Sequence, residues 1–599
     1  MEAALQSHVE DWLRLDKNPE TRSEVEKLWE AKDYTELGKR MSSRIEFGTA
    51  GLRGRMEAGW ARMNDLTVVQ ASQGLSAYVA ATIDSAKTKG VVVGHDHRHH
   101  SEHWAALTAN AFLQQGFKVY LYKGLVHTPL VPYGVKYLGA ACGVMITASH
   151  NPKDDNGYKV YWENAVQIIS PHDAGIAKAI DENLEPKASS WSTGALASSE
   201  LCVDRTEEVK DMYFMALGKY GHLSTLPVGT EGLKFVNTSM HGVSDPFVRR
   251  AFDTFGISQY IPVVEQRLPD PEFPTVKFPN PEEKGALDLA LATAAKAGVG
   301  YLLAQDPDSD RFSAAEKQKD GKWHVFTGDQ LGTLFAAYIV QQYKAKPTWK
   351  ADLSKVAMVA STVSSKMLEA MAKVEGFKFV ECLTGFKYIG NTALDLVKEG
   401  YEVPFGYEEA IGFMFGNEIR DKDGVAATAT FVGLVSSVRA RGMSVREYLE
   451  SLYQRYGYFK SNNGYFVCHE RPKIDTIFDR LRNYTTGGNK DRAFPEEVAG
   501  LPITSVVDLT LGYDSRNLPT YEPSLPLSSG HMVQFRAGRD EDEARLMLTI
   551  RTSGTEPKIK YYLEGSGANG DRVMEVLDRV VEELGRDWME AEKHGLLKP

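Results

Sequence analysis

The sequence predicts an α/β protein of about four domains. Short apolar runs typical of buried strands alternate with longer stretches of helical periodicity. This alternation indicates βαβ units and a mainly parallel sheet. The chain has 599 residues, and at about 150 residues per domain this length suggests four domains. Hydrophobic residues make up 43% and charged residues 25% of the chain, as is usual for a soluble globular protein.

We place the four domains at residues 1–222, 223–333, 334–460 and 461–599. The first 42 residues precede the α/β pattern and are predicted to form amphipathic helices with a break at Asn18-Pro19. The second and third domains continue the α/β alternation. The fourth mixes strands with a C-terminal helix predicted over about residues 571–593.

Charge and composition exclude several classes of partner. The net charge is −11, from 69 basic and 80 acidic residues, which argues against a general nucleic-acid or anionic-membrane binder. No run approaches about 18 apolar residues, so we expect no membrane span, and the N-terminus lacks the apolar core of a signal peptide. The four cysteines form no CxxC pair. We therefore expect a cytoplasmic protein without disulfides.

The segment Arg44–Gly54 contains three glycines around Thr49 and Arg53. Backbone that bends this closely can present N–H groups to an anion, with Arg53 as a further donor. A plain glycine-rich turn is the alternative.

The next segment, residues 64–140, is predicted to contain two strands and two helices. Between them lies a histidine-rich stretch, 95–103. A metal site is one interpretation, but no regular tetrahedral ligand spacing is present. A solvated loop in which Asp96 and Arg98 are structural charges is the simpler interpretation.

The stretch Cys142–Pro152 is the first with a chemical signature. An apolar run, Val144–Ile146, predicts a buried strand, and a tight exposed turn follows it. Ser149 lies at the tip with His150 beside it. Such a serine could be a nucleophile or a phosphate carrier, and a polar turn is the alternative.

A second signature follows the predicted strand Tyr301–Ala304. Asp306, Asp308 and Asp310 alternate along a loop, where their oxygens can converge on a hard cation such as Mg²⁺. An EF-hand would need Gly and Glu at its sixth and twelfth positions, where this chain has Arg311 and Lys317. The sequence therefore does not match an EF-hand, and an Asp-rich structural turn remains the alternative to a metal site.

Four further loops carry candidate binding groups. The third domain is predicted to have loops at Leu383–Gly390 and Phe405–Gly412, and the second of these contains the adjacent carboxylates Glu408 and Glu409. Lys422 lies in a charged turn, Arg420–Gly424. In the fourth domain, Arg551–Pro557 combines Arg, hydroxyls and Gly, the composition of a phosphate-binding loop. Ordinary solvated turns are the alternative for each loop.

The order and combination of these loops resemble the α-D-phosphohexomutase superfamily. The resemblance runs from Phe47-Gly-Thr to Tyr562, and Thr-Ala-Ser-His-Asn-Pro at 147–152 is its most specific motif. It implies four domains around a central cleft: three related α/β domains and a smaller α+β C-terminal domain. The three-fold repeat is not visible in the sequence itself.

The resemblance also implies roles for individual residues. Ser149 corresponds to a phosphoserine, and Asp306, Asp308 and Asp310 to the ligands of one Mg²⁺ per subunit, with Ser149 as a further ligand. A sugar bisphosphate primer is also implied. The catalytic positions are Ser149, His150, Lys159, Arg311 and Lys422, with Lys422 the first general acid/base candidate and His150 the second. The substrate-binding positions are Thr49, Arg53, Lys387, Glu408, Arg551, Ser553, Gly554 and Thr555.

One departure bears on the substrate. Hexose-specific members typically have Gly-Glu-Glu-Ser in the sugar loop, whereas this chain has Glu408-Glu409-Ala410-Ile411. In this it resembles the phosphopentomutase branch. We therefore expect interconversion of ribose 1-phosphate and ribose 5-phosphate, with weaker activity on glucose phosphates.

Several alternatives remain open at this stage. They are a phosphoglucomutase proper, a glucose 1,6-bisphosphate synthase with an acyl-phosphate donor, a metal hydrolase, and a non-catalytic binding relative. The expected partners are small sugar phosphates, with no nucleic acid or membrane, and the chain is expected to be a monomer or weak oligomer.

Overall fold

The computed structural model describes residues 2–48, 51–220, 232–345, 352–468, 470–484, 494–528, 530–539, 541–552 and 558–597. The chain divides into two compact units. Unit 1 comprises residues 1–360 and 384–445, and unit 2 comprises residues 361–383 and 446–599. None of the described helices combines the length and apolar character that crossing a membrane requires.

Three helices open unit 1: α1 (Glu2–Leu15), α2 (Pro19–Glu30) and α3 (Tyr34–Met41). The break predicted at Asn18-Pro19 is confirmed. The Asn18 side chain accepts a hydrogen bond from the Glu20 N–H, and Pro19 occupies the first turn of α2, where it needs no N–H partner. Trp12 of α1 packs edge-to-face on Trp60, with ring centroids 5.0 Å apart.

The first sheet of unit 1 has six strands in the order β1-β5-β4-β2-β3-β6. They are β1 (Leu52–Arg55), β2 (Val91–His95), β3 (Val119–Leu121), β4 (Cys142–Ile146), β5 (Asp155–Tyr161) and β6 (Cys202–Val203). Strands β2, β3, β4 and β6 are parallel, whereas β5 runs antiparallel to both β4 and β1. Strands β2 and β4 are buried along their whole length, as expected for strands covered on both faces.

Helices connect these strands: α4 (Asp65–Thr82), α5 (Ala86–Lys89), α6 (Ser101–Gln114), α7 (Leu130–Leu138), α8 (His172–Asp181) and α9 (Thr206–Gly218), with 3₁₀ turns at Ala188–Trp191 and Thr193–Ala197. Asn64 caps α4 through a reciprocal hydrogen-bond pair with Thr67. The predicted βαβ pattern over residues 64–140 is confirmed.

The second sheet of unit 1 has the order β11-β10-β9-β7-β8. Its strands are β7 (Val236–Thr238), β8 (Ile261–Pro262), β9 (Tyr301–Gln305), β10 (Phe312–Lys317) and β11 (Trp323–Val325), and its helices are α10 (Ser244–Thr254), α11 (Val264–Arg267) and α12 (Asp288–Ala297). Because β9 and β10 are antiparallel neighbours, residues 306–311 form the loop of a hairpin.

The next elements are α13 (Gly328–Ala345), β12 (Val356–Ser361), α14 (Met367–Glu375), β13 (Lys378–Cys382), α15 (Phe386–Lys398), β14 (Glu402–Glu408), β15 (Gly412–Phe415) and α16 (Gly424–Ala440). Of these, α14 and β13 lie in unit 2. In unit 1, β14 is parallel to β12 and antiparallel to β15.

Two predicted loops of this region are shorter than expected. The loop at Leu383–Gly390 ends at Gly385, because Phe386 begins α15. The loop at Phe405–Gly412 is reduced to residues 409–411, because its first half completes β14. Phe405 and Tyr407 pair across the hairpin with Phe415 and Phe413, and such aromatic cross-strand pairs stabilise a strand where the sequence suggested a turn.

Unit 2 contains a mainly antiparallel sheet of eight strands, in which β16-β23-β22-β21-β19-β18 is the main order. The elements are α17 (Val445–Tyr456), β16 (Tyr458–Ser461), β17 (Gly464–Val467), α18 (Arg471–Arg482), β18 (Glu497–Val498), β19 (Leu501–Asp508), β20 (Tyr513–Asp514), β21 (Met532–Ala537), β22 (Arg545–Thr552), β23 (Lys558–Gly567), α19 (Gly570–Glu583) and α20 (Ala591–His594).

The helix predicted over about 571–593 is interrupted. The α-helical part ends at Glu583, and one π-helical turn, Leu584–Trp588, follows it. Trp588 is buried against Phe535, with ring centroids 5.0 Å apart. The wider turn accompanies this burial of a large side chain, which helical periodicity alone does not reveal.

Candidate active site

The turn after β4 holds Ser149 in an unusual backbone conformation. Its φ is +55°, in the left-handed region that few residues other than glycine adopt. The Ser149 N–H donates to Oγ1 of Thr147 at 2.9 Å, and the Ser149 hydroxyl donates to Oδ2 of Asp306 at 2.8 Å. The two loops singled out by their sequences therefore meet at this hydroxyl.

One buried arginine fixes the shape of the Ser149 loop. The Arg98 guanidinium donates to the carbonyl oxygens of Ser149 and Asn151, each at 2.6 Å, and to those of Pro152 at 2.8 Å and Asp155 at 3.2 Å. Four carbonyls that point at one cation constrain the turn much more than a single hydrogen bond could.

Arg98 is itself held from two sides. Asp96 is completely buried beside it, with Oδ2 3.5 Å from Nε of Arg98. On another side, the ring of Phe273 lies 5.1 Å from the guanidinium carbon. The histidine-rich stretch is thus not the solvated loop that we expected around Asp96 and Arg98, because both side chains are buried supports of the Ser149 turn.

The segment that carries Phe273 is attached to both loops of the first domain. The Glu272 carboxylate lies 2.6 Å from Nε2 of His99 and 2.6 Å from Nζ of Lys153. These side chains are about half exposed, so each ion pair contributes little stability by itself. Together they place Phe273 over Arg98.

Asp306, Asp308 and Asp310 form a compact carboxylate cluster. All three are fully buried, and one oxygen of each lies within 4.8 Å of the others. Thr128, ahead of α7, donates from its hydroxyl to Oδ2 of Asp308 at 2.6 Å and from its N–H to the Asp308 carbonyl at 2.9 Å. The loop after β3 thereby supports the cluster.

Two lysines balance the charge of this cluster. Nζ of Lys159, on β5, lies 2.7 Å from Asp308 Oδ2 and 2.9 Å from Asp310 Oδ2. Nζ of Lys422 lies 3.3 Å from Asp310 Oδ2 and 3.4 Å from Asp421 Oδ1. Burial alone would lower the pKa of Lys422, but Asp310 and Asp421 hold that pKa above its ordinary value.

The three carboxyl groups have unequal pKa values. Burial, reinforced by Asp308 and Asp310, raises the pKa of Asp306 well above its ordinary value. Burial would also raise the pKa of Asp308, but Lys159 holds it below the usual range. Lys159 and Lys422 likewise keep the pKa of Asp310 low against burial.

The cluster fits a divalent cation. Oδ1 of Asp308 and Oδ1 of Asp310 are buried and have no hydrogen-bond partner, which is costly for a charged oxygen. A hard cation would satisfy these oxygens, and carboxylates are the ligands that Mg²⁺ prefers. In the part of the chain that the structure describes, this is the one cluster of three such ligand groups.

Arg311 joins this cluster to the hairpin turn between β14 and β15. Its N–H donates to Asp306 Oδ1 at 3.0 Å, and its guanidinium donates to the Ala410 carbonyl at 3.1 Å. Ile411 is buried with φ +50°, an outlier for a β-branched residue. A Cβ on Gly328 would lie 1.8 Å from the Glu409 carbonyl oxygen, so only glycine fits beneath this turn.

The remaining predicted residues of unit 1 border the same groups. Nδ1 of His150 lies 3.3 Å from Ser149 Oγ, and Arg53 donates to the Asn151 side chain at 3.3 Å. Burial, together with Arg311 and Arg53, lowers the pKa of His150 well below its ordinary value, so its imidazole is neutral. Glu408 ends β14 and is buried, and this burial raises its pKa.

Lys387 lies in the first turn of α15, next to Phe386. The Phe386 ring is 5.1 Å from Nζ of Lys422, so the start of α15 borders the lysine at the cluster. The sequence predicts a loop at Lys387, whereas the structure places this residue in the first turn of a helix.

Comparisons with known proteins show the family to which this chain belongs. Models of the phosphoglucomutase/phosphomannomutase alpha/beta/alpha domains I, II and III match residues 44–187, 211–321 and 327–456, more than half of the chain. A "Probable phosphoribomutase" from Schizosaccharomyces pombe is 45% identical, over 100% of both chains. A "Glucose 1,6-bisphosphate synthase" from Homo sapiens is 42% identical, over 99% of this chain and 96% of its own.

The chain belongs to the phosphoglucomutase/phosphomannomutase family. Among solved structures, the exocytosis-sensitive phosphoprotein pp63/parafusin, a phosphoglucomutase from Paramecium, matches with a TM-score of 0.65 at 17% identity, over 93% of this chain and 96% of that one. The predicted α/β fold of the α-D-phosphohexomutase superfamily, with three related domains and a further C-terminal domain, is confirmed.

The predicted site residues divide into three groups by location. Unit 1 of this phosphoglucomutase/phosphomannomutase family member brings together Arg53, Ser149, His150, Lys159, Asp306, Asp308, Asp310, Arg311, Glu408 and Lys422. Lys387 also lies in unit 1, at the start of α15. Arg551 lies in unit 2, at the end of β22, where its guanidinium lies 5.6 Å from the Tyr562 ring centroid. Thr49, Ser553, Gly554 and Thr555 lie outside the described residues.

Sequence reasoning missed two supports of the site. Thr128 had no distinguishing signature beyond a hydroxyl before Pro129 at the end of a βα unit. Arg98 had a weak one: an acid and a base two positions apart directly after a buried strand. Its four partners are backbone carbonyls, and a pattern of side chains in the sequence cannot predict such contacts.

We predict that Arg98→Lys lowers kcat by about 10- to 100-fold while KM changes little, because a lysine cannot engage all four carbonyls and the Ser149 turn relaxes. Steady-state kinetics at saturating Mg²⁺ would measure kcat and KM separately. Arg55→Lys is the matched control, since Arg55 is largely exposed and pairs with Glu57. Wild-type kcat in the Arg98 variant, or an equal loss in both variants, would contradict a positioning role for Arg98.

Proposed function

We propose that this chain is a mutase that interconverts ribose 1-phosphate and ribose 5-phosphate, with weaker activity on glucose 1-phosphate and glucose 6-phosphate. The observation that carries the proposal is the contact between Ser149 Oγ and Asp306 Oδ2 at 2.8 Å, beside a cation-balanced carboxylate cluster. A hydroxyl held in this way suits a phosphoryl carrier. The phosphoribomutase name of the relative from S. pombe supports the pentose assignment.

The reaction we propose consists of two phosphoryl transfers. First, a sugar hydroxyl oxygen attacks the phosphorus of phosphorylated Ser149, and the bond from phosphorus to Ser149 Oγ breaks. The proton of the sugar hydroxyl passes to a base, and a proton ends on Ser149 Oγ. The resulting sugar bisphosphate then returns its other phosphoryl group to Ser149 by the reverse chemistry. No water is consumed, and no inorganic phosphate is released.

Positioning and charge stabilisation are the main requirements of such a transfer. Lys159, Arg311 and Lys422 converge on the carboxylate cluster and can stabilise negative charge on the phosphoryl oxygens. Lys422 is our first general acid/base candidate: its ammonium form can deliver the proton that ends on Ser149 Oγ, and it can accept the sugar proton only after losing its own. His150, next to Ser149 Oγ, is the second candidate.

Asp306, Asp308 and Asp310, with an oxygen of phosphorylated Ser149, would hold one Mg²⁺. When bound, the ion would withdraw negative charge from the phosphoryl group. Sugar bisphosphate serves as primer, because the mutase cycle begins only once Ser149 carries a phosphate.

Substrate recognition is assigned to the remaining predicted residues. Glu408 accepts hydrogen bonds from sugar hydroxyls, and Arg53 and Lys387 are cationic groups for an anionic substrate. Arg551 and the segment Ser553–Thr555 bind the phosphate that is not being transferred, with Thr49 as a further contact. We place the enzyme in the cytoplasm, a location supported by its four free cysteines.

The pentose preference depends on the turn at residues 409–411. Ala410 offers no hydroxyl where a hexose-specific loop has serine. Its carbonyl is bound by Arg311, and Ile411 is locked in a strained, buried position. The backbone of the turn is therefore fixed, so that the side chain at position 410 is the variable that determines sugar discrimination.

We predict that Ser149→Ala lowers mutase turnover by roughly three orders of magnitude or more, since the phosphoryl carrier is removed. Turnover of ribose 1-phosphate would be measured with Mg²⁺ and bisphosphate primer, together with released inorganic phosphate. Ser192→Ala, at an exposed position, is the control.

Wild-type turnover in the Ser149 variant would contradict the proposed carrier. Stoichiometric phosphate release by the wild-type enzyme would instead indicate a hydrolase. Net synthesis of glucose 1,6-bisphosphate from an acyl-phosphate donor, faster than mutase turnover, would favour the synthase activity named for the relative from Homo sapiens.

We predict that Ala410→Ser raises kcat/KM for glucose 1-phosphate relative to ribose 1-phosphate by about three- to tenfold, the size expected for one added hydrogen bond. Both substrates would be compared in the same assay. Ala410→Cys is the matched control, because it has a similar shape but only a weak hydrogen-bonding group. If the ratio of the two kcat/KM values is unchanged in the serine variant, the residue at position 410 does not set the sugar preference.

A further inference from the structure

A cavity in unit 1 is lined by residues other than those of the candidate site. It has a volume of about 320 Å³ and lies where α1 and the end of α3 meet Trp60 and α4. This volume is at the lower end of small-molecule sites. Its lining includes none of the residues assigned to phosphoryl transfer. The family match begins at residue 44, so α1 and the end of α3 contribute walls from outside the matched domain.

One wall of this cavity carries an unpaired cation. The Arg44 guanidinium lies 4.9 Å from the Trp60 ring centroid and donates to the Gln70 side chain. Among the described side chains it forms no ion pair. Burial lowers the pKa of Arg44, although Asp181 opposes that shift. A guanidinium has five N–H donors, and the described hydrogen bond of Arg44 to Gln70 uses one of them.

A second arginine in the lining provides a contrast. Arg14 lies 2.9 Å from each oxygen of Glu185 and 3.5 Å from Asp11. Its charge is therefore already matched by two acids. Of the two arginines that line the cavity, only Arg44 offers uncompensated donors.

The lining also has an apolar part. Leu15, Met41, Trp60 and Leu184 supply hydrocarbon and ring surface, and the Trp60 ring lies against the Arg44 guanidinium. The polar remainder consists of His8, Ser42, Ser43 and Gln70, with Asp11 and Glu185, the two acids that pair with Arg14. A flat or hydrophobic body can pack on this surface while one anionic group pairs with Arg44, and desolvation strengthens that pair. One cation without an acidic partner, beside an apolar surface, favours a ligand with one acid group on an apolar body.

We propose that this cavity binds a small molecule that carries one carboxylate or phosphate group on an apolar, preferably planar body. Arg44 binds the acid group, and Trp60 with Leu184 contacts the body. The site is independent of the proposed mutase activity. Its lining contains no residue assigned to phosphoryl transfer, and its test measures binding and not turnover.

The experiment is a binding titration of the full-length protein by ligand-observed NMR, with benzoate and phenyl phosphate as probes and benzylamine as the charge-reversed control. Saturable binding of at least one acid is expected, and the comparison of the two shows which acid group the site prefers. Arg44→Gln should weaken that binding by about tenfold or more, as expected for a lost charge-assisted hydrogen bond. Arg14→Gln should change it by less than about twofold.

Two further variants keep the result interpretable. Leu184→Trp retains Arg44 but fills the cavity, and it should also abolish binding. Arg53→Gln, at the candidate active site, should leave benzoate binding unchanged. No saturable binding of either acid up to about 10 mM would overturn the proposal. So would equal binding by the Arg44 or Leu184 variants, loss of binding in the Arg53 variant, or equal binding of benzylamine.

Discussion

The packing of three carboxylates into one buried loop is the constraint around which unit 1 is built. Asp306, Asp308 and Asp310 repel one another and have lost their water, so their charge must be balanced by groups from elsewhere. Lys159 comes from the last long strand of the first sheet, and Lys422 comes from the turn before α16. The need for these cations ties three successive α/β segments to one point, which is where Ser149 also lies.

The backbone around this point is strained at each contributing loop. Ser149, Ser309 and Ile411 have φ values of +55°, +59° and +50°, and each lies on a different functional loop. Such conformations cost of the order of 1–3 kcal/mol each and persist only where surroundings enforce them. The surroundings here are specific: the Arg98 guanidinium holds the first turn, and the Arg311 side chain holds the third.

The reactive residues of the site could be predicted from the sequence, but the residues that hold them in position could not. Ser149 and the alternating aspartates stand directly after apolar runs, so strand, turn and reactive group are all encoded within about ten residues. Arg98 could not be ranked in the same way, because its partners are carbonyls more than 50 positions away. The turn at 409–411 was predicted too long because pairing of β14 with β15 depends on contacts across the hairpin. The cavity at Arg44 depends on packing between helices and has no local signature at all.

The central claim is that Ser149 alternates between a free and a phosphorylated hydroxyl. The most direct measurement is peptide mass spectrometry of the protein after incubation with sugar bisphosphate and Mg²⁺, before and after a chase with excess sugar monophosphate. The account predicts one added phosphate on the peptide that contains Ser149, with its amount falling on the chase as bisphosphate forms. A phosphate on a different residue, or one that the chase does not remove, would contradict the account.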